Sequence, residues 1–577
     1  MNRDHRTPLL FCTLLGTLCA LMPVAANDAG TEPSAAYAPL QLKLRPPAPQ
    51  SRDTYSGRLE IGGAYTDDDN FMFGQYNGLD DEGLTLIGDL QWQDFAHPEN
   101  YWQLSLSDMG LATREGRVTW GKPGRISLTL AFDSQKQVRN DSGRTPFRGD
   151  YEQTLPQNWI SGLDTSDFDA LASSLRGFDR ELDRDEISLA FDARLAGNWR
   201  LSSHLAYLEK EGDGDIGAGI YINAASADAV LLQAPVDYAT TELEHGLAYE
   251  GSRLYLDGVI AYSDFNNDEN ALIWQNPFAS FGDRVSFPAG SGGLGLAPDN
   301  EELRGRLTGH YLFSQRARLQ FDGSYAINTQ DQRFLDFSVN PALAAPEPLP
   351  RQDFDGEVAA STFKSKLLLN PWRKLRAELY YKLRDRDYDV PRDGYQYVRG
   401  DGADQPEAAF TVFNTAHDLR SQTAGIEASY RLPLRSRLSA EYAYEKVERE
   451  NAAVDETEED RYRLEYRIQP WTGFSARVDL LFADRAADTY QWDQSFFALL
   501  DTELINATPD SQRFNNHPDL FQHHLANRER LAGTLNLNYL PADRWNLDLN
   551  LSWRYDDYDQ SVLGLTESEW IGGHFNI

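Results

Sequence analysis

The stretch Trp545-Asn-Leu-Asp-Leu-Asn-Leu-Ser-Trp-Arg-Tyr-Asp-Asp557 restricts the fold more than any other part of the chain. Its odd positions Trp545, Leu547, Leu549, Leu551, Trp553 and Tyr555 are apolar, and its even positions Asn546, Asp548, Asn550, Ser552, Arg554 and Asp556 are polar or charged. Successive side chains of a strand point to opposite faces, so this segment has one greasy face and one wet face. Aromatics at both ends with leucine between them is the order of a strand that crosses a bilayer between two aromatic girdles. One such segment would also suit a soluble sandwich, but the pattern recurs. Leu375, Ala377, Leu379, Tyr381 and Leu383 oppose Arg376, Glu378, Lys382 and Arg384. Phe474, Ala476, Val478, Leu480 and Phe482 oppose Ser475, Arg477 and Asp479. Ala317, Leu319, Phe321, Gly323, Tyr325 and Ile327 oppose Arg318, Gln320, Asp322 and Ser324. Charges of both signs on the inner side imply a wet lumen rather than a packed core.

Two kinds of connection alternate along the chain. Short ones include Gly121-Lys-Pro-Gly124, Ala196-Gly-Asn198, Asn370-Pro371, Gln469-Pro470 and Pro541-Ala-Asp543. Long, acidic ones rich in Asn, Gly and Pro lie near 135–184, 210–239, 265–299, 329–354, 387–416 and 486–524. That division belongs to bacterial outer-membrane barrels. The expectation is an all-β chain, a large transmembrane antiparallel β-barrel of about 20–26 strands with short periplasmic turns and long extracellular loops. Trp199, Trp372, Trp471 and Trp545 each open a strand after a short turn and are assigned to the periplasmic girdle. A strand spacing near ~4.8 Å and a tilt near ~40° give roughly 6 Å of circumference per strand. The lumen is then roughly 30 Å wide, enough for a plug, an infolded loop or a protein.

Arg3 and Arg6, the apolar run Leu9–Met22 and Val24-Ala25-Ala26 form a secretory signal over 1–26. Residues 27–54, rich in Pro and Ala, are expected to be a flexible periplasmic segment, and 55–577 the barrel. Both cysteines, Cys12 and Cys19, lie in the signal, and Leu18 disfavours a lipoprotein reading of Cys19. The mature chain therefore has no disulfide, thiolate metal site or haem-attachment motif. Beyond the signal there is no run of about 18 apolar residues for a helical span. A mean hydropathy of -0.55 fits strands that are half polar. The formal charge of -35 becomes -36 when two basic residues (Arg3, Arg6) and one acidic residue (Asp4) leave with the signal. Such a charge argues against nucleic acid and anionic membrane surfaces as partners. Asp67-Asp-Asp69, Asn266-Asn-Asp-Glu-Asn270 and Asp455-Glu-Thr-Glu-Glu-Asp460 read as solvated loop tips, with cation binding or partner docking the lesser reading.

Candidate chemistry is sparse. His517, His523 and His524 lack a fixed Cys or carboxylate partner and read as loop histidines rather than a metal site. Asp67–Asp69 could hold a divalent cation together with Asp80 and Asp81, a plain acidic tip being the ordinary reading. No Ser-His-Asp set or catalytic carboxylate pair can be placed, so an enzyme is not expected, and no catalytic or metal residue is assigned. The inward residues Arg376, Glu378, Arg477, Asp479, Asn546, Asp548, Asn550 and Arg554 either contact a threaded partner or simply solvate the wall.

Several phrases carry a family resemblance. They are Phe73-Gly-Gln-Tyr-Asn-Gly-Leu79, Gly83-Leu-Thr-Leu-Ile-Gly-Asp89, Asp108-Met-Gly-Leu-Ala-Thr-Arg114, Thr145-Pro-Phe-Arg-Gly149, Pro235-Val-Asp-Tyr-Ala-Thr240 and Trp274-Gln-Asn-Pro-Phe278. In this order the chain resembles the decahaem-associated outer-membrane proteins of the MtrB/PioB type, from about Tyr55 to the C-terminus. The resemblance implies a very large barrel in the Gram-negative outer membrane that sheathes a periplasmic decahaem c-type cytochrome. Electrons then cross along the partner's haems, the barrel itself binding no cofactor. An extracellular multihaem cytochrome or other redox partner is implied beyond it. Gly74, Tyr76, Gly78 and Leu79 form the motif loop, in which the pair Gly78-Leu79 reads as loop geometry rather than chemistry because glycine supplies backbone freedom. The chain departs from many relatives in lacking a Cys-x-x-Cys near the mature N-terminus. It also ends Gly572-Gly-His-Phe-Asn-Ile577, which leads to the expectation of an abbreviated final strand. The alternative reading is a large porin or substrate-specific outer-membrane channel.

Overall fold

The structure, a computed structural model, describes residues 55–79, 82–97, 99–162, 164–222, 227–278, 291–336, 339, 348–398, 408–509, 517–542 and 544–577. The expected signal (1–26) and periplasmic segment (27–54), together with Asp80 and Asp81, lie outside the described residues. Strands dominate. In chain order they are β1 (Tyr55–Thr66), β2 (Gly83–Asp94), β3 (Tyr101–Met109), β4 (Glu115–Lys122), β5 (Ile126–Thr145), β6 (Glu152–Gln153), β7 (Arg176–Arg194), β8 (Trp199–Ile222) and β9 (Ala227–Glu250). There follow β10 (Leu254–Asn267), β11 (Ala271–Gln275), β12 (Ser291–Gly295), β13 (Asn300–Ser314), β14 (Ala317–Gln330), β15 (Gly356–Trp372), β16 (Leu375–Asp389), β17 (Gly394–Val398) and β18 (Ala408–Phe413). The last are β19 (Leu419–Leu432), β20 (Ser436–Arg449), β21 (Glu456–Trp471), β22 (Phe474–Ala487), β23 (Arg528–Ala542), β24 (Trp545–Asp557) and β25 (Glu567–Asn576). Twenty of these strands form one sheet. The chain divides into two compact units, the first running to Leu247 with Ala261–Pro277 and Leu294–Asp299, the second holding Ala248–Ile260, Phe278–Gly293 and Asn300–Ile577.

In the first unit, β1 to β5, β7 and β8 pair as successive antiparallel neighbours. Crossing the hydrocarbon takes about 9–11 residues per strand, yet β5 has 20 residues and β8 has 24. The surplus corrects the expected loops at 135–184 and 210–239: β5 and β7 occupy both ends of the first, and β8 and β9 most of the second. Past the lipid, water bathes both faces, so no apolar alternation is required and the period vanishes from the sequence. The backbone ladder needs no apolar side chains and continues, with Lys136 opposite Asp183 and Gln137 opposite Leu182. Ion pairs such as Lys136–Glu181 (2.7 Å) and Arg180–Asp215 (2.7 Å) brace it.

The second unit is a meander through β13–β16 and β19–β25, with long connections between β14 and β15, β16 and β19, and β22 and β23. Directly opposed residues share a face. Ile426, Tyr442, Tyr462, Phe482, Leu531 and Tyr555 therefore line up across β19–β24 on the apolar face. Tyr442, Tyr462 and Phe482 form one aromatic belt, with ring centroids 5.1 and 6.3 Å apart. Trp471, Phe474 and Tyr539 form another beside the short turns, at 5.2 and 6.3 Å. The nine residue steps from Tyr462 to Trp471 span about 23 Å along the membrane normal at a tilt near 40°. That is the height of an outer-membrane apolar band, about 25 Å. Trp199, Trp372, Trp471 and Trp545 are all exposed beside short turns, as the girdle reading requires.

Two further expectations change. The acidic run 455–460 is not a loop tip, because Glu456–Asp460 opens β21. There Glu456 pairs with Lys446 of the neighbouring β20 (2.8 Å) and Glu459 with Arg461 of the same strand (3.1 Å), so both countercharges come from within the sheet. The final strand is not short either: β25 has 10 residues, paired from Asp557 opposite Glu567 to Asp548 opposite Asn576.

Candidate functional site

The wet face of the second unit resolves into rows. Glu378, Glu427, Glu441 and Arg463 stand opposite one another in turn across β16, β19, β20 and β21. One step along the strands toward the short turns, Arg376, Ser429, Ser439, Glu465, Asp479, Thr534 and Ser552 do the same. The next row is Arg431, Arg437, Arg467, Arg477, Asn536, Asn550 and His574. Arg376, Glu378, Arg477, Asp479 and Asn550 thus stand in adjoining rows of one face. Asp548 (opposite Asn538) and Arg554 (opposite Ala532) lie on the same face of β24, and Asn546 joins them by hydrogen bonds.

These side chains hold one another. Glu378 receives Lys366 (2.9 Å) and Arg376 (3.4 Å). Asp479 accepts from Arg463 at 2.8 Å, and Arg477 pairs with Glu465 at 2.7 Å. Asn538 donates to Asn546 (2.8 Å) and to Asp548, and Asn550 donates to Asn536. Tyr380 donates to Glu441 at 2.6 Å, its ring occupying the space a side chain at Gly425 would need. At the long-loop end the pairs are buried: Arg528 with Glu459 at 2.7 Å, and Arg530 with Asp556 at 2.6 and 3.1 Å. Sequence reading missed Glu427, Glu441, Glu465, Arg528, Arg530 and, of the cationic row, Arg431, Arg437 and Arg467. Each strand contributes a single member, so only the register reveals them.

The motif loop is held by a capped turn, close packing and one tie to β5. Asn70 caps the short helix Phe71–Gly74 by accepting from the Met72 and Phe73 N–H groups (3.1 and 3.2 Å). Gly74 and Leu79 are buried and Tyr76 is exposed. Gly78 has φ 71°, and a Cβ there would sit 2.5 Å from Ala112 Cβ, which belongs to the phrase 108–114. The Val138 N–H donates to the Gln75 carbonyl at 3.2 Å, tying this loop to β5. Other phrases meet in a second cluster, where Phe147, Leu155, Leu232, Leu272 and Trp274 are buried together. Arg176 stitches it, donating to the Phe147 carbonyl (2.7 Å) and to Gln233 Oε1 (2.8 Å). Phrases 73–79, 108–114, 145–149 and 274–278 thus pack where strands pass into connections, whereas 83–89 lies within β2 and 235–240 within β9.

Among the described residues no group of three or more His, Cys, Asp or Glu could hold a metal ion. His523 and His524 have ring centroids 5.9 Å apart, whereas His517 pairs with Asp519 at 3.7 Å. Their loop is docked: Arg485 donates to the carbonyls of Ala526 (2.9 Å) and His523 (2.7 Å), and Leu525 is buried with Ala453 and Val454. Burial, then the neighbouring His523, holds the His524 imidazole below its ordinary value.

Comparison with known proteins places this architecture. Outer membrane protein MtrB of Shewanella baltica (strain OS185) is 24% identical over 531 residues, covering 90% of this chain and 70% of that protein. Among solved structures, the copper transporter OprC is similar at 9% identity and a TM-score of 0.41, covering 87% of this chain and 62% of its own. The siderophore receptor PiuA from Acinetobacter baumannii is similar at 10% identity and a TM-score of 0.39, covering 90% of this chain and 72% of its own. Likenesses that distant carry no weight for function. The family model described as an outer membrane beta-barrel porin, MtrB/PioB, matches residues 65–577. The chain therefore belongs to the MtrB/PioB family of outer-membrane β-barrel proteins.

Proposed function

We propose that the barrel sheathes and positions a multihaem c-type cytochrome in its lumen, the decahaem partner the family resemblance implies. Together they form a transmembrane conduit for extracellular electron transfer. The wet face supports this reading. Its rows of both signs pass from β16 to β25, each strand adding polar groups at successive levels. A small solute needs only a few such groups at a constriction. A protein surface needs many, spread over an area and able to make charge-assisted hydrogen bonds. Arg376, Glu378, Arg477, Asp479, Asn546, Asp548, Asn550 and Arg554 are the proposed contact residues. On the other face the apolar band keeps lipid away from the partner. Haem is carried by the partner, and an extracellular multihaem cytochrome or other redox partner would take electrons up or deliver them at the long-loop end. Residues 1–26 would serve export and 27–54 would remain in the periplasm.

The test is purification of the full chain from outer membranes, followed by haem staining and reconstitution into vesicles loaded with a redox dye. The expected result is a co-purifying haem protein, and dye reduction from outside only when both proteins are present. A barrel that arrives without a haem protein and passes solutes by itself would refute the sheath and favour the porin or substrate-channel reading.

A further inference from the structure

We propose that the arginine row at the short-turn end of β19–β22 is a docking band for a carboxylate-rich surface of the luminal protein partner. The inference rests on the sheath reading and adds the place and sign of one contact. Arg431 stands directly opposite Arg437, Arg437 opposite Arg467, and Arg467 opposite Arg477. Like charges directly opposed across strands are unfavourable, and here three such pairs are consecutive in a chain whose net charge is -35.

The row is only partly neutralised from within. Glu465 pairs with Arg467 and with Arg477 (2.7 Å), and Asp479 lies 3.7 Å from Arg477. Among the described residues, Arg431, Arg435 and Arg437 have no carboxylate at ion-pair distance. Asp548, the carboxylate that shares their cavity, is already engaged by Asn538 and Asn546.

The turn beside the row gives an independent sign. Leu434 and Arg435, in the three-residue connection Pro433–Arg435, have φ of 59° and 53°, the left-handed region usually left to Gly or Asn. The Ser436 N–H closes the turn on the Pro433 carbonyl at 3.2 Å. A left-handed arginine is strained backbone, retained where the surroundings demand it, and it holds Arg435 next to the row. Arg431, Arg435, Arg437, Arg467 and Arg477 together line a cavity of ≈ 700 Å³.

Bilayer headgroups are on the wrong side of the sheet. At the same level the other face carries Tyr430, Leu438, Tyr466 and Val478. Four strands at ~4.8 Å spacing make the row about 14 Å long. That exceeds one small anion and matches several Asp and Glu side chains of a protein surface, each able to take a bidentate guanidinium.

The test uses the full chain and the haem protein that co-purifies with it, stripped at high salt and added back. Arg431→Glu with Arg437→Glu should weaken binding about tenfold or more and flatten its salt dependence. Arg431→Lys with Arg437→Lys should retain most of the affinity. Should the reversed variant fail to fold, Arg431→Gln with Arg437→Gln serves, expected to weaken binding about threefold to tenfold. A folded variant with unchanged affinity and salt slope overturns the inference and leaves the sheath intact. Unchanged affinity with altered anion selectivity of the empty barrel also overturns it, assigning the row to small anions. If wild-type barrel binds no haem protein, the sheath reading and this one fall together.

Discussion

Replacing Arg530 with methionine should destabilise the folded barrel by about 3 kcal/mol. Arg530 and Asp556 oppose each other across β23 and β24, with Nε–Oδ1 at 2.6 Å and Nη2–Oδ2 at 3.1 Å. Their side chains are 10% and 3% exposed, so neither charge is hydrated when its partner is lost. Breaking a buried pair costs about 3–5 kcal/mol, chiefly because the remaining charge is stranded. The low end applies because Arg554 remains 3.5 Å from the other carboxylate oxygen. Removing both charges with Arg530→Met and Asp556→Leu leaves no buried charge of this pair unmatched, the Arg554 that also loses Asp556 being partly exposed, and should return to within about 1 kcal/mol of the parent. The double-mutant cycle should therefore show a coupling of about 2 kcal/mol or more. Arg306–Asp322 is an internal control: two nitrogens lie 2.9 and 2.7 Å from Asp322 Oδ2, but exposure is 56% and 31%. Water competes there, and Arg306→Met should cost less than about 1 kcal/mol. Urea unfolding of detergent-folded protein followed by tryptophan fluorescence measures both, provided the slopes match. A cost for Arg530→Met no larger than for Arg306→Met, or additive single and double variants, would refute the reasoning.

Three smaller perturbations probe other parts of the fold. Gly78→Val should unseat the motif loop, since the left-handed φ and the 2.5 Å approach to Ala112 both exclude a side chain; limited proteolysis should then cut the 70–112 region faster, with the strands intact. Gly425→Ala should displace the Tyr380 ring and remove the hydroxyl donor from Glu441, costing about 1–3 kcal/mol in the same unfolding assay. His524 should loosen its loop on acidification. Its folded pKa is lowered by burial and then by His523, so the unfolded chain binds the proton more readily. The stabilisation is therefore complete above the ordinary value of 6.5 and is lost as pH falls below it. Faster hydrogen exchange at Leu525 and Ala526 below that pH, absent in His524→Gln, is the expected reading.

The parts of the fold written in the sequence are those the bilayer dictates. Lipid demands an apolar side chain at every second residue, so Leu375–Leu383, Phe474–Phe482 and Trp545–Tyr555 disclose strand, face and level without further information. The left-handed φ of Gly78 is the kind of feature a sequence can suggest, because glycine freedom is a local property. Where strands leave the lipid, that demand lapses, and residues 135–145 and 210–222 look like loops while remaining in the ladder. The parallel pair of β6 and β11 joins residues too distant in sequence for any local signal, Gln153 against Trp274. The arginine row was illegible for a related reason: Arg431, Arg437 and Arg467 are unremarkable on their own strands, Arg477 reads there only as one inward charge, and only the hairpin registers bring the four level.

The wall is graded in charge, and the gradient bears on how a partner would enter. At the long-loop end the acids meet cations within the sheet: Glu459 takes Arg528 and Arg461, Glu445 takes Arg461, and Asp556 takes Arg530. Groups paired this closely stiffen the wall but project little potential. At the short-turn end the cations outnumber the nearby acids, and Arg431, Arg435 and Arg437 are left to act on what lies in front of them. A net potential at one mouth raises encounter rates with a partner of opposite sign, and salt screens it with a Debye length of about 8 Å at physiological ionic strength. An acidic protein arriving from the periplasm would thus meet attraction first and a self-neutralised wall beyond it. Assembly should slow as ionic strength rises, whereas the dissociation rate, governed by the seated contacts, should change less. Stopped-flow mixing of barrel and haem protein across a salt series separates the two rates. A salt effect confined to dissociation would place the gradient's role in holding the partner rather than guiding it.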